Sequence, residues 1–165
     1  MSFNSFLSKI FGNKSQRDLK EIQPIVNKIK ALGPQMQGLS NDELRNAITA
    51  VRTDIKNAIS EDEQAIASTK EKIESLPFDQ RQELWDDIDR HEKNILDIIE
   101  NKLNEHLPTV FAALRETAAR FAANEVVEVT ATQMDRDLAA AGKDFVSIEG
   151  DKALYKNCLL YTSPS

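Results

Sequence analysis

Little in this 165-residue chain favours a crosslinked or sheet-rich fold. It has one cysteine, Cys158, which excludes an intramolecular disulfide framework and fits a reducing compartment. Aromatics make up only 6%, and glycine and proline number five each, a profile of long solvated helices rather than a compact sheet protein. No apolar run approaches the roughly 20 residues needed to span a bilayer. The start lacks the continuous apolar core and small-residue cleavage site of a signal peptide. Asn13-Lys14-Ser15 matches a glycosylation sequon, read as chance in a chain with no export signal. A pI near 5.0 argues against nucleic acid as a partner. There is also no G-x-x-x-x-G-K-[ST] phosphate loop anywhere in the chain.

What is present begins at the N-terminus. Phe3, Phe6, Leu7, Ile10 and Phe11 recur at helical spacing and share one face of a short helix. Residues 1–30 hold six basic and two acidic side chains, a net of +4 in a chain of −6, so the remainder carries −10. A basic amphipathic start on an acidic protein points to contact with an anionic surface. After Gly12-Asn13, Ser15 can cap a helix with Leu19, Ile22, Val26 and Ile29 on one stripe. Pro24 predicts a kink there unless the helix starts late enough to hold it in its first turn, and Gly33-Pro34 ends it.

Ser40-Asn41-Asp42-Glu43 reads as a capping box opening a long helix. Its seam is Leu44, Ile48, Val51, Ile55, Ala58, Ile66, Thr69, Ile73 and Leu76, with a break possible at Ser60-Glu61-Asp62-Glu63. Pro77 stops it. A partner over 79–106 presents Leu84, Trp85, Ile88, Ile95, Ile99 and Leu103, which predicts an antiparallel hairpin with Trp85 as a core anchor. Pro108 is expected in the first turn of another helix, 108–123, burying Val110, Phe111, Leu114, Ala118 and Phe121. Val126–Thr130 reads as a strand, Gln133–Ala141 as a short helix ended by Gly142, and 145–155 as a hairpin turning at Glu149-Gly150-Asp151-Lys152. These strands have no obvious sheet neighbours, so that end is expected to be loose. The fold class is mainly α: N-terminal amphipathic helices, a long antiparallel helical hairpin and a small incomplete β element.

Few side chains suggest chemistry. His91 and Asp87 stand at i, i+4, but one such pair is half a metal site, and His106 lies about four turns away. Asp86, Asp87 and Asp89 read as helix surface. No catalytic, cofactor-binding or metal site is assigned.

Three segments together resemble the SecA family of motor ATPases, which drive preproteins through the bacterial Sec channel. They are Lys9-Ile10-Phe11-Gly12-Asn13-Lys14-Ser15-Gln16-Arg17-Asp18-Leu19, then Leu39-Ser40-Asn41-Asp42-Glu43-Leu44, then Leu107-Pro108-Thr109-Val110-Phe111-Ala112-Ala113-Leu114-Arg115-Glu116-Thr117-Ala118. The hairpin resembles an insert of one family branch, as do Glu128–Thr132 and Ile148–Ala153. The likeness covers residues 1–157 and implies four parts: docking helices at 1–38, a hairpin insert at 39–107, the start of the first nucleotide-binding domain at 108–157, and a tail at 158–165. Cys158-Leu159-Leu160-Tyr161-Thr162-Ser163-Pro164-Ser165 departs from both family pattern and chain style and is expected to be non-native.

The resemblance implies a cytoplasmic protein, peripheral at the inner face of the cell membrane. Its implied partners are the Sec translocon channel, anionic phospholipid, preproteins and a second protomer, with Lys9, Lys14 and Arg17 as candidate headgroup contacts beside Phe3, Phe6, Leu7, Ile10 and Phe11. ATP and magnesium are implied for the full-length parent. Without a phosphate loop, this chain is expected to be an N-terminal piece that supplies docking and scaffold segments and is inactive alone. The competing expectation is a stand-alone cytoplasmic helical adaptor that binds a membrane surface or partner helices through the same segments.

Overall fold

The computed structural model describes residues 14–157. Its elements are α1 (Lys14–Ala31), α2 (Gly33–Gln37), α3 (Asn41–Ser75), a 3₁₀ turn (Phe78–Gln80), α4 (Gln82–Ala123), β1 (Val126–Thr130), α5 (Gln133–Ala140), β2 (Val146–Glu149) and β3 (Lys152–Lys156). The mainly α class with a small sheet near the C-terminus is what the sequence predicts. The described residues divide into two compact units: Asp42–Leu107, and 14–41 together with 108–157.

In the first unit, α3 runs without interruption from Asn41, directly after Ser40, to Ser75, about 52 Å at ~1.5 Å per residue. The possible break at Ser60–Glu63 does not occur. All nine seam residues are buried or half-buried, with Leu44, Val51, Ile66, Thr69 and Ile73 buried. Ile66, Ile73 and Ile88 form a core cluster against Leu84 and Ile95, which seals the hairpin near its turn. Two residues of the expected α4 stripe are exposed instead of covered. Leu103 is exposed, and Trp85 is 45% exposed. Trp85 adjoins Leu84 in sequence, and successive helical residues point about 100° apart, so only one of them can face the core squarely.

The second unit corrects several further expectations. Pro24 sits well inside α1, which runs from Lys14 to Ala31, so it is not held in the helix's first turn. Pro108 likewise lies within α4, not in the first turn of a new helix. A proline removes one amide from the helical ladder, and here the helix runs through that gap to Ala123. Beyond Pro108 the buried face is also different. Ala112 and Ala113 are buried, while Phe111, Leu114 and Ala118 are exposed and Val110 and Phe121 half-buried. Apolar side chains surround the helix over 110–114, so spacing alone cannot choose among its faces.

The strands predicted to lack neighbours find them in each other. β3 lies between β1 and β2, antiparallel to both, with Val129 and Ile148 each opposite Ala153. Val129, Val146 and Ala153 form the core under Leu138 and Ala139 of α5. Ala153 is fully buried, and its small side chain lets the helix sit close. The β2–β3 turn places Gly150 at φ 62°, left-handed backbone that a larger residue resists. At the end of α5, Gly142 adopts φ 71°. Lys143 N–H donates to Leu138 O at 3.2 Å and Gly142 N–H to Ala139 O at 3.0 Å, a Schellman ending.

Candidate functional site

Of the docking residues read from sequence, Phe3, Phe6, Leu7, Lys9, Ile10 and Phe11 lie outside the described residues. Lys14 and Arg17 are exposed in the first turns of α1 and share a face at i, i+3. The same helix exposes Leu19, Ile22 and Ile25 and half-buries Val26 and Ile29. Cationic and apolar groups therefore stand together on open helix surface. A small cavity of about 190 Å³ follows, where Lys30 and Arg115 sit over Ile29, Pro34 and Ala112.

Arg120 is the polar centre of this unit, and sequence reading passed over it. Its Nη1 donates to Asn41 Oδ1 at 2.7 Å, and Nη2 to Leu39 O at 2.7 Å and Met36 O at 3.2 Å. Its Nε donates to Glu116 Oε1 at 2.9 Å. Asn41 Nδ2 in turn donates to Glu128 O of β1 at 2.8 Å. One planar guanidinium thus fastens the α2–α3 connection to α4, a geometry that lysine cannot reproduce. The i, i+4 pair Glu116–Arg120 was its only sequence signal.

A second polar node caps α5. Asp135 is buried, accepts from Thr132 N at 2.8 Å and Thr132 Oγ1 at 2.9 Å, and also accepts from the Tyr155 hydroxyl. Asp135 N donates back to Thr132 Oγ1 at 3.4 Å, completing a capping box. Thr132-x-x-Asp135 was a legible signal for it.

Both histidines bridge the two helices of the hairpin. His91 Nδ1 lies 2.5 Å from Asp62 Oδ1, and Asn94 Nδ2 donates to Asp62 Oδ2 at 2.8 Å. Asp87 Oδ2, the metal-pair candidate, is farther from His91 Nε2 at 3.9 Å and pairs with Arg90. His91 is therefore a cross-helix tie rather than a solvated surface group. His106 Nε2 contacts Asp54 Oδ2 at 2.7 Å, and Lys102 Nζ lies 3.0 Å from the same oxygen and 3.1 Å from Glu105 Oε2. Hydrogen bonding from His106, then from Lys102, holds Asp54 below the usual carboxylate range. His91 lowers Asp62 in the same way, with Asn94 adding to it. Hydrogen bonds to Asp54 and then Glu105 raise Lys102. Asp54, Glu105 and His106 could bring three ligand atoms within 4.8 Å of one another. The Lys102 ammonium already stands between the two carboxylates, so the cluster reads as a strap of paired charges.

Among the described residues, the glycines do not form a phosphate cradle. Gly33 opens α2 and Gly38 caps its end, and Gly142 and Gly150 serve a helix end and a strand turn. No described helix is long and apolar enough to cross a membrane.

The family description SecA DEAD-like domain matches residues 7–135, most of the chain. The chain belongs to the SecA family. It is 48% identical over 157 residues to the protein translocase subunit SecA of Porphyromonas gingivalis, an alignment covering 95% of this chain and 14% of that protein. The subunit of Parabacteroides distasonis matches to the same extent, and that of Flavobacterium psychrophilum is 41% identical over 159 residues. This SecA-family chain thus spans about one-seventh of the length of the curated relatives it matches. No solved structure matches it.

Proposed function

We propose that this chain is the N-terminal part of a SecA-type motor that exports preproteins through the Sec channel, and that it supplies docking and scaffold segments rather than chemistry. The observation that carries this reading is the 48% identity over 157 residues to proteins named protein translocase subunit SecA. It favours the translocase over a stand-alone adaptor. ATP and magnesium belong to the remainder of such a motor. The lack of a G-x-x-x-x-G-K-[ST] phosphate loop in this sequence supports placing the nucleotide there.

In this reading the docking surface is the basic, apolar start. Phe3, Phe6, Leu7, Ile10 and Phe11 insert at an anionic membrane surface or channel. Lys9, Lys14 and Arg17 meet the headgroups, at roughly 1 kcal/mol each. The exposure of Lys14, Arg17, Leu19 and Ile22 on α1 supports it. The motor would work on the cytoplasmic side, peripheral to the membrane, with preproteins, the channel and a second protomer as partners.

Flotation with vesicles tests the docking role. Binding to anionic vesicles, lost on Lys9→Glu, Lys14→Glu and Arg17→Glu together and weakened by salt, is expected. Equal flotation with neutral vesicles would overturn the electrostatic part. Equilibrium dialysis against ATP with magnesium should show no retention by the chain.

A further inference from the structure

The tip of the hairpin is neither core nor ordinary charged surface. Phe78 is 89% exposed, and Trp85, expected in the core, is 45% exposed. At the same turn a groove of about 610 Å³ is lined by Leu76, Asp79, Gln80, Gln82, Glu83 and Leu84, next in sequence to Phe78 and Trp85. Leu76 and Leu84 are half-buried and give it an apolar floor, while Asp79 and Glu83 line it with carboxylates. Neither carboxylate has a partner among the described residues. By contrast, the one cation of the tip, Arg81, turns its Nε to Leu76 O at 2.8 Å. From Glu74 to Asp86 four carboxylates oppose that single arginine, a net of −3.

Exposed aromatics at a turn present large apolar area at little entropic cost, and their faces attract cations. Carboxylates beside them make the surface selective by charge. We propose that this tip is a docking surface for a basic amphipathic peptide segment, whose apolar side chains cover Phe78, Trp85 and the leucine floor while its lysines or arginines meet Asp79 and Glu83. The site goes beyond the motor's docking start: it lies in the other unit of the chain and carries the opposite charge.

Trp85 is the chain's only tryptophan and adjoins Leu84 of the groove, so its emission reports on this end of the hairpin. The 165-residue chain would be titrated with a synthetic Lys/Leu amphipathic peptide and with a Glu/Leu peptide of the same pattern. A saturable shift of tryptophan emission with the Lys/Leu peptide alone, lost in high salt, is expected. Phe78→Ser should weaken it, and Asp79→Asn with Glu83→Gln should reduce affinity about tenfold and flatten the salt dependence. These positions are exposed, so circular dichroism should show unchanged helicity in each variant. No response, an equal response to the acidic peptide, or unchanged affinity in the charge variant would overturn the proposal. So would a concentration-dependent emission shift without peptide, accompanied by dimer in sedimentation, which would place a second copy on the tip.

Discussion

The two units hold themselves together by different means. The hairpin joins two helices along one apolar seam and ties them with pairs such as His91–Asp62 and His106–Asp54, whose groups are still partly in contact with water. The unit containing the sheet uses one guanidinium, one buried carboxylate and a core around an alanine with no exposed surface. Ties that rest on a carboxylate respond to acid. A guanidinium shared among several acceptors keeps its charge, and its removal leaves all of them without that donor at once. The contrast should therefore appear in how each unit breaks.

The largest loss is expected from Arg120→Ala, about 3 kcal/mol, because several acceptors lose their donor together. Urea unfolding would measure it, with Arg120→Lys rescuing little. Hydrogen exchange should show loosening around α2 and β1 while the hairpin's Ile66–Ile88 region keeps its protection. Equal loosening of both would erase the comparison. Ala153→Leu comes next, at about 1–3 kcal/mol, because the added bulk has no room in the core formed with Val129 and Val146.

Acid should act on the hairpin. Asp54 and Asp62 have folded-state values depressed below 3.8, so the stability they contribute is present above that pH and is lost as pH falls through the depressed values. Exchange in the hairpin should rise below about pH 4. Asp54→Asn with Asp62→Asn should remove that part of the pH dependence and leave the sheet's exchange unchanged. The smallest effect is expected for Phe78→Ser, within about 0.5 kcal/mol in a thermal melt, since that ring lies in solvent.

Much of the fold was legible because its signals are local. The α3 seam repeats every three or four residues, β1 alternates over Val126–Thr130, and Gly142 and Gly150 stand where the chain needs left-handed backbone. The errors share a cause. Pro108 and Trp85 look like punctuation and core on local grounds, yet the helix passes through one and the packing excludes the other. The Arg120 latch and the histidine ties join residues 29 to 84 positions apart, and no periodicity encodes such a meeting. Of the docking residues, Lys14 and Arg17 are seen on open helix surface, while the six ahead of them lie outside the described residues.

Strand order carries one more consequence. β3 is the last of the described strands in sequence but the middle one in the sheet, and β1 and β2 do not pair. During synthesis, β1 would leave the ribosome with both ladder edges vacant and stay so until Lys152–Lys156 followed it. Those five residues close the sheet in one step, so a nascent chain halted at Gly150 would hold two strands and no ladder.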